Sequence, residues 1–136
     1  MGAWAADSFG NDTACDWSYD LEKVNDLSLV ARALAAVLST KDDYLDSDVA
    51  CEGLAACEVI ARLKGNWGLR NPHTETADKW VEDHPSTVSE DLKQTALGAI
   101  DRILAEESEL RDLWTEGGGG EDWLEAVADL RRRVED

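Results

Sequence analysis

The sequence predicts an all-α fold, an irregular bundle of six or seven short helices in a single domain over residues 1–136. Three observations carry that reading. Apolar residues recur at intervals of three and four along most of the chain, the spacing that gathers side chains on one helix face. Ser, Thr, Asp or Asn stands ahead of these runs, where a helix needs an acceptor for its first free N–H groups. No window of four or more residues alternates apolar and polar with β-branched content, as a half-buried strand would.

Residues 1–10 lack helical periodicity and end in Gly10, which reads as an ordered amino-terminal arm. Asn11 or Asp12 caps a first helix to about Lys23, with Ala14, Trp17 and Leu21 on one face. Asp26 caps a second helix, ending near Thr40, whose stripe is Leu27, Val30, Leu34, Val37 and Leu38. Asp46 or Ser47 caps a third, running to Lys64 with Gly65 just beyond its end. Its apolar face is wide: Val49, Gly53, Ala56, Ile60 and Leu63 lie on one line, with Ala50, Leu54, Cys57 and Ala61 beside it. Small residues dominate there, so a neighbouring helix can come close, and this reads as the buried central helix.

Residues 65–73 form a long loop with two glycines, two asparagines and Pro72. Thr74 starts a short helix through Trp80 and Val81, closed by His84-Pro85. Ser86, Thr87 or Ser89 opens the next, in which Leu92, Ala96, Ile100 and Ile103 keep helical spacing to about Glu107. Ser108 caps a further short helix carrying Leu110, Leu113 and Trp114. Gly117–Gly120 is a glycine linker, and the last helix follows with Trp123, Val127, Leu130 and Val134.

A chain of 136 residues buries roughly 70% of its unfolded surface, enough to fold without disulfide or metal. Six tryptophans supply its large packing anchors. Thirteen basic residues against thirty acidic leave a formal charge of −17, spread over both halves of the chain. Such a surface repels nucleic acid and anionic lipid, and it steers cationic partners inward. Three cysteines, Cys15, Cys51 and Cys57, are odd in number and lack CxxC spacing, which fits a reducing compartment. No basic-then-apolar leader and no membrane-length apolar run is read, so a cytoplasmic location is expected.

No residue set reads as catalytic, and no cofactor or metal is expected. His73 and His84 are the only histidines, outside any HExxH pattern, and His84 before Pro85 suits a helix-terminating turn. The aspartates Asp42, Asp43, Asp46 and Asp48, with Glu52, lack the turn glycine and closing glutamate of an EF-hand. Helix-cap chemistry accounts for Asp46 and Asp48 and solvation for the rest, and contact with a basic protein partner is the functional use of that cluster in preference to a metal cage. The Gly117–Gly120 run precedes Glu121 and Asp122, whose carboxylates would repel phosphate. Cys51 and Cys57 lie about 240° apart around one helix and read as buried small hydrophobes. Arg131, Arg132 and Arg133 are too few for nucleic acid in this acidic field. They read as partners for the helix end and neighbouring carboxylates.

The arm carries the most specific pattern. Trp4, Phe9 and Trp17 flank the Asn11-Asp12 cap, and they read as a staple that fastens the amino terminus to the bundle. An aromatic-rimmed binding surface is the functional alternative. Met1, Gly2, Ala3, Trp4, Phe9, Asn11, Asp12, Ala14, Asp16 and Trp17 follow the opening Met-Gly-(small)-Trp-Gly-x-Gly-x-Phe-x-Asn-Asp-x-Ala-x-Asp-Trp. In this the chain resembles a family of short, mostly bacterial proteins classed as domain of unknown function 4259. The segments ACEVIARLKG (Ala56–Gly65) and SELRDLW (Ser108–Trp114), then Trp123 and LRRRV, are similar to it as well. Ala5 and Asp7 stand where that family has glycine. The resemblance implies one domain and no particular activity.

The function expected is therefore a non-catalytic protein-binding module of immunity or inhibitor type, a monomer or homodimer covering a basic partner surface. One alternative is a small hydrolase-like enzyme using carboxylates near loop 65–73, beside His73 and Trp67. The other is a structural homodimeric subunit, whose sign would be an exposed apolar face on the last helix.

Overall fold

The computed structural model describes residues 7–116 and 120–136. Seven helices follow one another: α1 (Asp12–Leu21), α2 (Ser28–Ser39), α3 (Ser47–Leu63), α4 (Glu75–Asp83), α5 (Glu90–Leu104), α6 (Glu109–Thr115) and α7 (Glu121–Glu135). Among the described residues there is no strand. One isolated parallel bridge joins Leu45 to Ser108, with the Leu45 N–H donating to the Glu107 carbonyl at 2.7 Å and the Glu109 N–H to the Leu45 carbonyl at 2.9 Å.

Helix α3 is the axis of the bundle and touches every other helix. Its run of alanine, glycine and cysteine is what permits this. A Cβ added to Gly53 would stand 2.6 Å from Val37 Cγ2, so α2 lies against bare backbone at that point. Twelve of its residues are buried, from Ala50 through Arg62, which no helix with a polar outer face could accommodate. The helix ends in a Schellman motif. Gly65 adopts a left-handed φ of 89°, its N–H donates to the Arg62 carbonyl, and the Asn66 N–H donates to the Ala61 carbonyl, both at 2.9 Å.

The predicted faces of α1 and α7 are the buried ones: Ala14, Trp17 and Leu21 in one, Trp123, Val127, Leu130 and Val134 in the other. In α2, Val30, Leu34 and Val37 are buried, whereas Leu38 is 38% exposed. Leu38 follows Val37 by 100° around the helix and so falls at the edge of the stripe.

The caps divide into those that bind as expected and those that do not. Asn11 accepts the Ala14 N–H at 2.7 Å, Asp46 the Asp48 N–H at 2.7 Å and Ser89 the Leu92 N–H at 3.1 Å. Asp26 sits one residue ahead of the cap position. Its carboxylate takes the Ser28 N–H and hydroxyl instead, at 3.0 and 2.6 Å. Thr74 and Ser108 occupy cap positions without capping. The Thr74 hydroxyl is drawn away to Asp78. The Ser108 hydroxyl is buried without a partner, because the Leu45 bridge fixes the backbone there.

Phe9 and Trp17 are buried in the core, as a staple requires. Gly10 donates to the Asp7 carbonyl and Asn11 Nδ2 to the Ser8 carbonyl, closing a tight turn into α1. Trp4 and Gly117–Gly119 lie outside the described residues.

Candidate functional site

The wide apolar face of α3 contains two charges one helical turn apart, Glu58 and Arg62, and both are buried, at 6% and 2% exposure. Burying a lone ion costs several kcal/mol, so such groups persist only when paired and hydrogen-bonded throughout. The surrounding elements supply those partners. From α3 itself, Arg62 Nη1 donates to Glu58 Oε1. From α4, Asp78 (4% exposed) accepts Arg62 Nε at 2.7 Å. The loop between them contributes the Leu69 carbonyl, which accepts Arg62 Nη2 at 2.6 Å.

From α7, Arg133 grips Glu58 with two bonds, Nη1 to Oε1 at 2.9 Å and Nη2 to Oε2 at 3.0 Å. Its Nε donates to Asp129 at 2.8 Å. Burial pulls the Arg133 guanidinium towards the neutral form, but the bonds and charges of Glu58 and Asp129 outweigh it and raise its pKa. The arm adds Ser8, whose hydroxyl donates to Glu58 Oε2 at 2.9 Å. The second oxygen of Asp78 takes the Thr74 hydroxyl at 2.7 Å and Arg70 Nε at 3.3 Å.

Aromatic rings pack against the network. The Arg62 guanidinium lies 5.9 Å from the Phe9 centroid and 5.7 Å from that of Trp67, and Arg70 sits over the other reach of Trp67 at 4.5 Å. The backbone at Gly68 passes close to the same group, since a Cβ there would stand 2.6 Å from the Arg133 guanidinium. Three guanidinium groups thus face three carboxylates, Glu58, Asp78 and Asp129, and the assembly neutralises itself. It positions the arm, α3, α4, α7 and loop 65–73 against one another. It offers an incoming substrate no spare charge.

Beside Asp78 an open polar hollow of about 410 Å³ is lined by Arg70, Asn71, Pro72, Glu75, Lys79 and Glu82. His84 ends α4, with Nδ1 2.9 Å from the Trp80 carbonyl and its ring stacked 4.6 Å from that of Trp80. His73 lies in the turn at Asn71, whose side chain accepts its N–H at 2.8 Å. Among the described residues no group of three or more His, Cys, Asp or Glu is arranged to hold a metal. Burial, with Asp48 and Glu52 behind it, pushes the Cys51 thiol up to about 12; burial also raises Cys57 and Cys15. Each is held as a thiol at neutral pH, far from the thiolate that nucleophilic chemistry needs.

Asp42, Asp43, Asp46 and Asp48 are all exposed, and the structure gives them two different settings. Asp42 and Asp43 ride on a loop organised by Arg102, which donates to the main-chain carbonyls of Lys41, Asp43, Glu106 and Glu107 at 2.6–3.1 Å. Lys41 and Glu107 hold left-handed φ angles of 52° and 61° to present those carbonyls. Asp46 and Asp48 stand at the start of α3. Asp46 spends its carboxylate on the cap, and Asp48 accepts the Thr13 hydroxyl of α1 at 2.9 Å.

The ionic network escapes an apolar-periodicity reading because its members come from four distant segments. One local signal was present: Glu58 and Arg62, an i,i+4 pair of opposite charge inside a helix otherwise buried on every side. The arginine run pairs as expected, Arg131 with Asp101 and Glu135 and Arg132 with Asp129. The reach of Arg133 into the core is additional.

Fold and network together define a small all-α domain built around a closed internal charge centre. The chain belongs to the family described as domain of unknown function DUF4259, whose model matches residues 2–126. That match takes in Glu58, Arg62 and Asp78 and stops short of Arg133. No curated protein and no solved structure matches the chain. Among the described residues no helix is long and apolar enough to cross a membrane.

Proposed function

We propose that this chain is a non-catalytic protein-binding module, of immunity or inhibitor type, whose acidic exterior covers a basic surface of its partner. The observation that carries this reading is the division of charge. Most of the basic side chains are spent inside the chain, on carboxylates or main-chain carbonyls. Asp42, Asp43, Asp46 and Asp48 remain exposed, within a formal excess of 17 negative charges. Such an exterior attracts a cationic surface over a Debye length of about 8 Å at physiological salt and speeds its arrival. An acid–base role near loop 65–73 is less well supported, because both oxygens of Asp78 are already engaged by Arg62, Arg70 and Thr74.

The test is capture of a stoichiometric partner from native lysate by the tagged chain, washed at low and then high salt. The reading expects a basic protein that salt releases and that a chain carrying Asn at positions 42, 43, 46 and 48 fails to retain. Equal retention by that variant, or recovery of the chain alone, would overturn it.

A further inference from the structure

Loop 41–45 and residues 105–113 form one surface, tied together at the backbone. The Leu45 N–H donates to the Glu107 carbonyl at 2.7 Å and the Glu109 N–H to the Leu45 carbonyl at 2.9 Å. Arg102 fastens the same two segments, donating to the Asp43 carbonyl at 2.6 Å and the Glu107 carbonyl at 3.1 Å. Between them lies an open hollow of about 430 Å³, lined by Lys41, Asp42, Arg102, Ala105, Glu106 and Glu107.

On the same loop the Tyr44 side chain is 52% exposed, although Leu45 beside it is wholly buried. The phenol is not left to rotate. Its hydroxyl donates to Asp112 at 2.8 Å, which ties the ring to α6. Leu113, the following residue of α6, is 40% exposed. Large side chains held in solvent on a braced backbone lose little freedom when a partner covers them, and tyrosine is prominent among interface anchors.

The rim decides what that anchor meets. Asp42, Asp43, Glu106 and Glu107 are exposed, and the ion pairs of the described residues lie elsewhere. Of the two cations lining the hollow, Arg102 spends its donors on main-chain carbonyls, which leaves Lys41. The hollow beside Asp78 differs, because its Arg70 and Lys79 are paired with Asp78, Glu82 and Asp83.

We propose that the face made by loop 41–45 and residues 105–113 is where a basic protein docks, with an arginine of that partner over the Tyr44 ring and a second basic side chain in the hollow. This rests on the binding function proposed above and adds its place and its anchor. Arginine fits better than lysine, because a planar guanidinium stacks on the ring while its N–H groups remain free for the carboxylates of the rim. The four aspartates then have unequal parts. Asp42 lines the hollow and Asp43 adjoins Tyr44, whereas Asp46 and Asp48 are spent on the α3 cap and on Thr13.

The test is titration of the isolated, isotope-labelled chain with a short oligo-arginine peptide at low salt, followed by the NMR shifts of its backbone amides. The shifts are expected to saturate and to concentrate at 41–45 and 105–113. Tyr44→Ala changes an exposed side chain and should weaken binding about three- to tenfold, the scale of one cation–π anchor. Tyr44→Phe keeps the ring and should bind as the wild type does. Asp42→Asn with Glu106→Gln and Glu107→Gln should weaken binding and flatten its salt dependence, while Asp46→Asn with Asp48→Asn should change little. Shifts spread evenly over the acidic exterior, or undiminished affinity in Tyr44→Ala, would overturn the docking face. So would concentration-dependent shifts of the same amides without peptide, which would make a second copy of the chain the occupant. No partner protein is present, so this failure is separate from failure of the capture experiment.

Discussion

The two charged regions of this molecule use the same side-chain chemistry to opposite ends. Around Glu58, carboxylates and guanidinium groups are buried, alternate in sign and use nearly all their hydrogen-bonding capacity. From Asp42 to Glu52 on the exterior the carboxylates are exposed or half-buried and share one sign. Inside, each charge depends on its neighbours, because an ion stripped of its partner in a low-dielectric core has nothing to replace it. Outside, water and salt supply most of what each carboxylate needs. A net charge of −17 is therefore compatible with a stable fold, since the groups that hold the bundle together contribute almost nothing to it.

The largest effect expected from this difference is at Glu58. Glu58→Gln keeps the shape but leaves Arg62 and Arg133 facing a neutral amide. It should cost about 3–5 kcal/mol of unfolding free energy, read as a drop in the urea midpoint with the slope unchanged. Added salt should recover little of it, because the site is out of reach of solvent ions. Next in size is Asn11→Ala. It removes the α1 cap at Ala14 and the side-chain bond to the Ser8 carbonyl, and should cost about 1 kcal/mol. The loss should show first as faster amide exchange in α1, the helix that loses its cap.

These expectations also mark how much was legible in the residues. The helices and the central place of α3 follow from spacing and from its alanines and glycine. Asn11, Asp46 and Ser89 are each among the candidate caps, and the structure selects them over Asp12, Ser47, Ser86 and Thr87. Thr74 and Ser108 do not cap, because their hydroxyls answer to Asp78 and to the Leu45 bridge, which tertiary structure brings in from elsewhere. The Arg102 clamp on four carbonyls was out of reach for the same reason, since carbonyls carry no sequence signature. Phe9 and Trp17 were legible as anchors of the arm. What Phe9 covers, the Arg62 guanidinium, was not. Asp42, Asp43, Asp46 and Asp48 form one cluster in the sequence, yet the fold divides them between the Arg102 loop and the α3 cap.

The smallest effect sharpens the comparison from the outer side. Glu52→Gln should stabilise the chain at neutral pH by a few tenths of a kcal/mol, the scale of a solvent-screened contact. The gain should fade as the pH falls to the ordinary glutamate range, where the wild-type side chain is itself protonated. A gain that persisted there would belong to packing and not to charge.

The most direct measurement sets the two regions side by side, by urea unfolding of Glu58→Gln and of the variant carrying Asn at positions 42, 43, 46 and 48, each at low and high salt. The expected result is a loss of about 3–5 kcal/mol in the first, nearly independent of salt. The second should stay within about 0.5 kcal/mol of wild type, since an asparagine in place of Asp46 still serves as a cap. A four-residue variant that unfolds as readily as Glu58→Gln, or a Glu58→Gln chain as stable as wild type, would contradict the division between a charge centre that makes the fold and an acidic exterior left for a partner.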